Sequence, residues 1–146
     1  MIDLTGKVAI VTGAGGGLGR EHARLLAARG ARVVVNDLDP AHAQAVADEL
    51  TEAGGAAGAL AASVTDYDAV KAMVAEVIAL WGRIDMLVNN AGILRDKSFA
   101  KMELSDFRLV MDVHVMGAVH CCKAVWPYMQ SQGYGRIVMT TSSSGL

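Results

Sequence analysis

Five glycines fall within the ten residues VTGAGGGLGR (11–20), directly after an apolar run. Glycine costs roughly 0.5–1 kcal/mol against alanine in regular structure, so a cluster of them marks a place where side chains would obstruct something. A turn from strand into helix is such a place. The first N–H groups of a helix have no intrahelical acceptor, and with the helix dipole they favour an anion, phosphate in particular. Main chain reaches a diphosphate only where no Cβ intervenes, and a helix lies close on its strand only over glycine. Gly13, Gly17 and Gly19 are the candidates for those positions. Asp37 belongs with them: it ends the next β-branched run, at close to the roughly 20-residue spacing for a carboxylate that hydrogen-bonds an adenosine ribose. A 2′-phosphate within about 4 Å of that carboxylate would meet repulsion of order 4 kcal/mol per charge pair at an effective dielectric near 20. Leu38, Asp39 and Pro40 follow, with no arginine to neutralise it. The pattern favours NAD over NADP as the ligand. The plainer alternative is that Asp37 is only a solvated strand-end carboxylate or a helix cap, although Asp39, just before Pro40, is the better candidate for an ordinary cap.

These groups need a scaffold, and the rest of the sequence supplies one. Short β-branched runs alternate with helical patterns: strands at 7–12, 31–37, 58–63, 84–90 and 135–141, and helices at 17–29, 40–53, 66–81 and 105–129. In the third helix Val70, Met73, Val74, Val77, Ile78 and Trp81 recur three and four apart. The strands are almost continuously apolar, as in a parallel sheet covered on both faces. Right-handed crossovers and a reversal after the third strand give a doubly wound, Rossmann-like α/β fold of strand order 3-2-1-4-5. No repeat or linker divides the chain, so residues 1–146 are expected to form one domain.

Composition narrows the function classes. With 53% hydrophobic and 19% charged residues the chain is globular. A net charge of −2 gives no electrostatic reason to expect nucleic acid or an anionic membrane as partner. The mean hydropathy of +0.34 raises the question of a membrane span. However, Glu76 and Arg83 interrupt one apolar stretch, and Asp112, His114 and His120 the next. The N-terminus MIDLTGK lacks a basic region leading into an apolar one, so no signal peptide is expected. Cys121 and Cys122 are adjacent, which suits neither a disulfide nor a metal site; they read as reduced thiols in a cytoplasmic setting, and no metal is expected.

The elements Thr12-Gly13-x-x-x-Gly17-Leu18-Gly19, Asp37 and Asn89-Asn90-Ala91-Gly92 together resemble the short-chain dehydrogenase/reductase family over the whole chain. The resemblance implies cofactor contacts at Gly13, Gly17, Leu18, Gly19 and Asp37, and backbone roles beside the cofactor for Asn90, Ala91 and Gly92. It implies adenine contacts at Ser63 and Val64, although the family's usual aspartate is here Ser63. The family's catalytic serine corresponds to Ser142 in SSSGL, with Ser143 and Ser144 close enough to leave the register open. Its helical asparagine, in the pattern Asn-x-x-Gly, is replaced by His114 before Gly117. Histidine donates, accepts and titrates near neutral pH, so His114 is a candidate proton relay; a packing role is the alternative. VTGAGGGLGR, VVVNDL, NNAGILRDKSFAKM and the histidine together resemble the family's (3R)-hydroxyacyl-CoA dehydrogenase branch. The implied reaction is hydride transfer between NAD and a small-molecule alcohol or ketone, with an acyl-CoA as substrate.

In the family a Tyr-x-x-x-Lys pair follows the serine by about a dozen residues, and this sequence reaches Leu146 first. Tyr67, Tyr128 and Tyr134 are not read as replacements: none is credited with a lysine four residues later, and all precede the fifth strand or its exit. The 146 residues alone are therefore expected to be inactive and to lack the last strands of the family fold. The family commonly forms homodimers or homotetramers through its fourth and fifth helices. Here Leu109, Val110, Val113, Met116 and Val119 supply an apolar stripe that suits either an interface or the core.

Overall fold

The computed structural model describes residues 1–143. Five strands, β1 (Val8–Val11), β2 (Arg32–Asp37), β3 (Ala56–Ala61), β4 (Met86–Asn89) and β5 (Arg136–Met139), form one parallel sheet in the order β3-β2-β1-β4-β5. Between them run α1 (Gly17–Ala28), α2 (Pro40–Glu52), α3 (Tyr67–Trp81) and, after β4, α4 (Leu104–Met111) and α5 (Gly117–Gln132). The doubly wound order expected from the sequence is the one observed.

Alternating side chains on each strand supply two cores. Val8, Ile10, Val34 and Leu87 face α3 and α5 and pack with Val70, Val74, Val77 and Val125. Val11, Val33, Val35 and Val88 face α1 and α2, where Ala23, Ala43, Val46 and Leu50 meet them. Small residues on that second side let the two helices lie close to the strands that carry the glycine loop.

The amino edge of the sheet is closed by a buried carboxylate that the sequence pattern does not advertise. Asp85 Oδ2 accepts the Val8 N–H at 2.9 Å, and Arg83 donates to both carboxylate oxygens. Lys7 Nζ stands 3.8 Å from Oδ1. Burial pushes this carboxyl up, but the Arg83 and Val8 hydrogen bonds and the two cations outweigh it and hold Asp85 below the usual carboxylate range.

Most of the expected strands and helices are shorter by one or two residues at an end, and two elements differ in more than that. β3 covers Ala56–Ala61 rather than 58–63, in register with β2 to its end at Asp37. Its alanines and glycine carry little strand preference of their own, so the partner strand sets its limits. The helix expected at 105–129 runs from Leu104 to Gln132 and is interrupted by a π-helical turn, Asp112–Met116. It passes through Pro127 and stops at Gly133, which adopts φ +64°. This run of 29 residues, with an 18-residue window that reaches a mean hydropathy of 1.2, is long and apolar enough to cross a bilayer by length and composition alone, despite Asp112, His114 and His120. Cys121, Ala124, Val125 and Met129 on its inner face are buried, as in a core helix. Burial, with Cys122 beside it, pushes the Cys121 thiol up to about 12, which suits a packing residue rather than a nucleophile.

Candidate active site

The glycine loop joins β1 to α1 at the carboxyl edge of the sheet and is fastened to the end of β4. Thr12, 1% exposed, accepts the N–H groups of Asn90 (3.1 Å) and Ala91 (3.0 Å) at its hydroxyl. Asn90 Nδ2 donates in return to the carbonyls of Thr12 (3.0 Å) and Gly13 (3.1 Å). Two glycines serve this clamp. Gly13 has φ +61°, and a Cβ there would lie 2.8 Å from Ala91 Cα; a Cβ on Gly19 would lie 2.5 Å from the Gly13 carbonyl oxygen. Gly16 and Gly17 differ, since a Cβ on either would meet nothing within 4 Å. Their bareness faces open space, at the start of a helix with neither a side-chain cap nor an acidic residue in its first turn. Leu18 is exposed there.

Asp37 lies across from this loop and is tied to it. Its Oδ2 accepts the Gly15 N–H at 2.9 Å and its Oδ1 the Asp39 N–H at 3.0 Å. Gly15 has no room for a side chain: a Cβ would stand 2.7 Å from Asp37 Oδ2. Asp39 caps α2, accepting from Ala41 at 2.8 Å and His42 at 3.4 Å, as its place before Pro40 suggests.

A cavity of about 230 Å³ opens beside the clamp, lined among others by Thr12, Val64, Asn90, Ala91, His114 and Ser142. It thus brings together the candidate serine, the histidine and the Asn90–Ala91 turn. Ser142 is exposed on the segment after β5; of the SSSGL stretch, Ser144, Gly145 and Leu146 lie outside the described residues. His114 sits in the π-helical turn, a distortion often found at functional sites. Its Nε2 lies between two main-chain groups of Ile93, able to accept the N–H at 3.1 Å in one tautomer or to donate to the carbonyl at 2.9 Å in the other. Its ring packs on Gly92, where a Cβ would lie 2.6 Å from Cε1. Ser63 is beyond β3, its hydroxyl 2.7 Å from that of Thr65 and accepting the Thr65 N–H at 3.3 Å. Val64 is 7% exposed, and its side chain joins the core beneath the cavity.

Two features of the site go beyond the sequence reading, and one tyrosine corrects it. Thr12 was quoted only as part of a motif, though it is the hub of the clamp. Asn89 is 9% exposed, lines the cavity and leaves its Oδ1 without a hydrogen-bond partner among the described residues. Tyr67 and Lys71 do have the Tyr-x-x-x-Lys spacing. That pair lies on the first turns of α3, with Lys71 Nζ 4.8 Å from the Tyr67 ring centre and 2.9 Å from Asp68, and neither residue lines the cavity that holds Ser142. It is a surface cation–π contact. Among the described residues no three His, Cys, Asp or Glu side chains group as metal ligands.

The parallel sheet, with its uncapped, glycine-lined helix start and a carboxylate at the end of its second strand, is that of a doubly wound α/β protein, a fold that takes its ligands at this carboxyl edge. The chain belongs to the short chain dehydrogenase family, which it matches over residues 7–146. It is 50% identical, over 97% of its length, to the peroxisomal multifunctional enzyme type 2 of Drosophila melanogaster, of which it covers 25%. It is 46% identical over 96% of its length to the peroxisomal hydratase-dehydrogenase-epimerase of Saccharomyces cerevisiae, covering 16% of that protein. A crystal structure of a short chain dehydrogenase from Mycobacterium avium superposes with a TM-score of 0.91 at 40% identity, over 98% of this chain and 55% of that one. The chain thus spans a quarter or less of the two multifunctional relatives.

Proposed function

We propose that residues 1–146 are the NAD-binding unit of a dehydrogenase that moves a hydride between NAD and a secondary alcohol or ketone, with a 3-hydroxyacyl-CoA as the substrate. The observation that carries this reading is the α1 start, where uncapped amides and open glycines face the Asp37 carboxylate. The residues fit the cofactor. The Gly17, Leu18 and Gly19 amides would hold the diphosphate, the free lone pairs of Asp37 would take the ribose hydroxyls, and Ser63 and Val64 would border the adenine. Asp37 repels a 2′-phosphate, which makes the cofactor NAD. When bound, NAD supplies the hydride acceptor at its nicotinamide ring.

The protein's residues do the rest. Ser142, on the cavity wall, would hydrogen-bond the substrate oxygen. His114 is the proton relay of this reading: its imidazole takes up a proton at one ring nitrogen and releases one from the other, while Nε2 stays within hydrogen-bond reach of the Ile93 main chain. The proton leaving the substrate hydroxyl is assigned to a base of the family's Tyr-x-x-x-Lys type, a role that Tyr67 and Lys71 do not fill because they lie away from the cavity. Partner copies are also part of the proposal. No residue of α4 is buried, and Leu109, Met116, Val119 and Trp126 expose apolar surface along this helical run, which suits a homodimer or homotetramer. The unpaired thiols suit a reducing compartment, whether the cytoplasm or an organelle such as the one in the relatives' names.

The test is NADH formation by the intact protein with a 3-hydroxyacyl-CoA and NAD. We expect turnover that falls on the order of a hundredfold in Ser142→Ala, the loss typical of removing one hydrogen-bond donor at a reacting oxygen. No turnover by the intact protein would sink the reading, whereas turnover only on other alcohols would keep the dehydrogenase and change its substrate.

A further inference from the structure

His120 is the one histidine near the cavity to which neither the family comparison nor the proposed chemistry gives a role. It lies on α5 one turn after Gly117, and its Nδ1 is 2.8 Å from the Val64 carbonyl oxygen. A carbonyl only accepts, so Nδ1 carries the proton and donates. On one side the His120 ring stacks on Tyr67, with centroids 5.4 Å apart, and Lys71 covers Tyr67 in turn. The Val64 side chain is wedged on the same helix: a Cβ on Gly117 would lie 2.6 Å from Val64 Cγ2. Val64 is therefore held at two points, by its carbonyl and by its side chain. Its N–H is left over, because no group among the described residues accepts it. Val64 lines the cavity immediately beyond β3, and the neighbouring Ala62 N–H donates to the Asp37 carbonyl at 3.2 Å. A fixed, unspent donor next to the ribose carboxylate suits a ring nitrogen that accepts.

We propose that His120 is a positioning residue for the adenine end of the cofactor site, holding the Val64 peptide so that its N–H remains available to an accepting ring nitrogen. This rests on the NAD reading above. It adds that a residue on α5, remote in sequence from the glycine loop, sets how sharply the site recognises the purine. Adenine presents an unprotonated N1, whereas hypoxanthine carries a hydrogen there and would oppose the Val64 donor with a second donor. Slackening the Val64 peptide should therefore erode discrimination between the two bases rather than merely weaken binding.

The experiment is calorimetric titration of the intact protein with NAD and with nicotinamide hypoxanthine dinucleotide. We expect the wild-type protein to favour NAD, and His120→Leu to reduce that preference by about fivefold, as the loss of one well-placed hydrogen bond would. His120→Gln, whose amide can still donate to the carbonyl, should retain the preference. A folded His120→Leu with the wild-type preference overturns the proposal. Should His120→Leu not fold, His120→Gln against His120→Met decides: preference kept in the first and lost in the second supports it, and equal preference in both overturns it. Wild-type protein that binds neither dinucleotide overturns the NAD reading itself, and this inference with it. A wild-type protein that binds both equally overturns this inference alone.

Discussion

The helices α1 and α2 both leave the carboxyl edge of the sheet beside Asp37, yet their first turns are completed in opposite ways. α2 has Asp39 as its cap, which accepts from Ala41 and His42, and Pro40 at its first position. α3 is closed similarly, with Asp66 accepting from Ala69 at 3.1 Å. α1 begins at Gly16, with no side chain to accept anything. Capping aspartate contributes about 0.5–2 kcal/mol to a helix, so leaving it out forgoes stability that two neighbouring helices take. The difference teaches where an anion is to sit: the unfinished helix is the one whose start faces open space and whose loop is bound to Asp37 and Asn90.

The comparison can be broken in graded ways. The largest effect is expected at Gly19, which lets α1 lie against the clamp. Gly19→Val would drive side-chain atoms into the Gly13 carbonyl and the Asn90 amide, costing more than about 3 kcal/mol, and should appear as a collapse of the thermal unfolding temperature. Gly16→Asp would give α1 the cap its neighbours have. Gly16 is in extended backbone with open space at its Cβ, so the substitution meets no obstacle. The unfolding temperature should hold or rise, while the Kd for NAD should rise at least about tenfold, because a fixed negative charge now occupies the helix start. Unchanged NAD affinity in Gly16→Asp would remove the basis for reading that start as a diphosphate site. The smallest effect is expected from Asp39→Ala: a loss of about 1 kcal/mol in chemical denaturation, with NAD affinity almost unchanged. A large change in affinity there would mean that the α2 cap also belongs to the ligand site.

Much of this contrast was readable before any coordinates. The glycine spacing, the distance to Asp37 and the Asp39–Pro40 cap are local constraints written within a few dozen residues. The Thr12–Asn90 clamp was less accessible, because it joins residues 78 apart that meet only through β1–β4 pairing. The π-helical turn was hidden because Ser105–Met129 reads as unbroken apolar periodicity, with the His114 register the sole hint. The limits of β3 were misplaced because AAGALA has no strand signature beyond its pairing with β2. The buried Asp85 could not be read from a lone carboxylate at the head of an apolar run. Tyr67 and Lys71 teach the converse: the right spacing is in the sequence, and only its place on α3, away from the Ser142 cavity, denies it the family's role.

The central claim is that bare amides at the α1 start take a diphosphate while Asp37 turns away a 2′-phosphate. It is tested most directly by calorimetric titration of the intact protein with NAD and NADP, repeated in Asp37→Asn. We expect NAD to bind at least about tenfold more tightly than NADP, and the asparagine variant, which still accepts from Gly15, to lose most of that preference. Equal binding of the two dinucleotides by the wild-type protein, or a preference that survives removal of the charge, would contradict the claim.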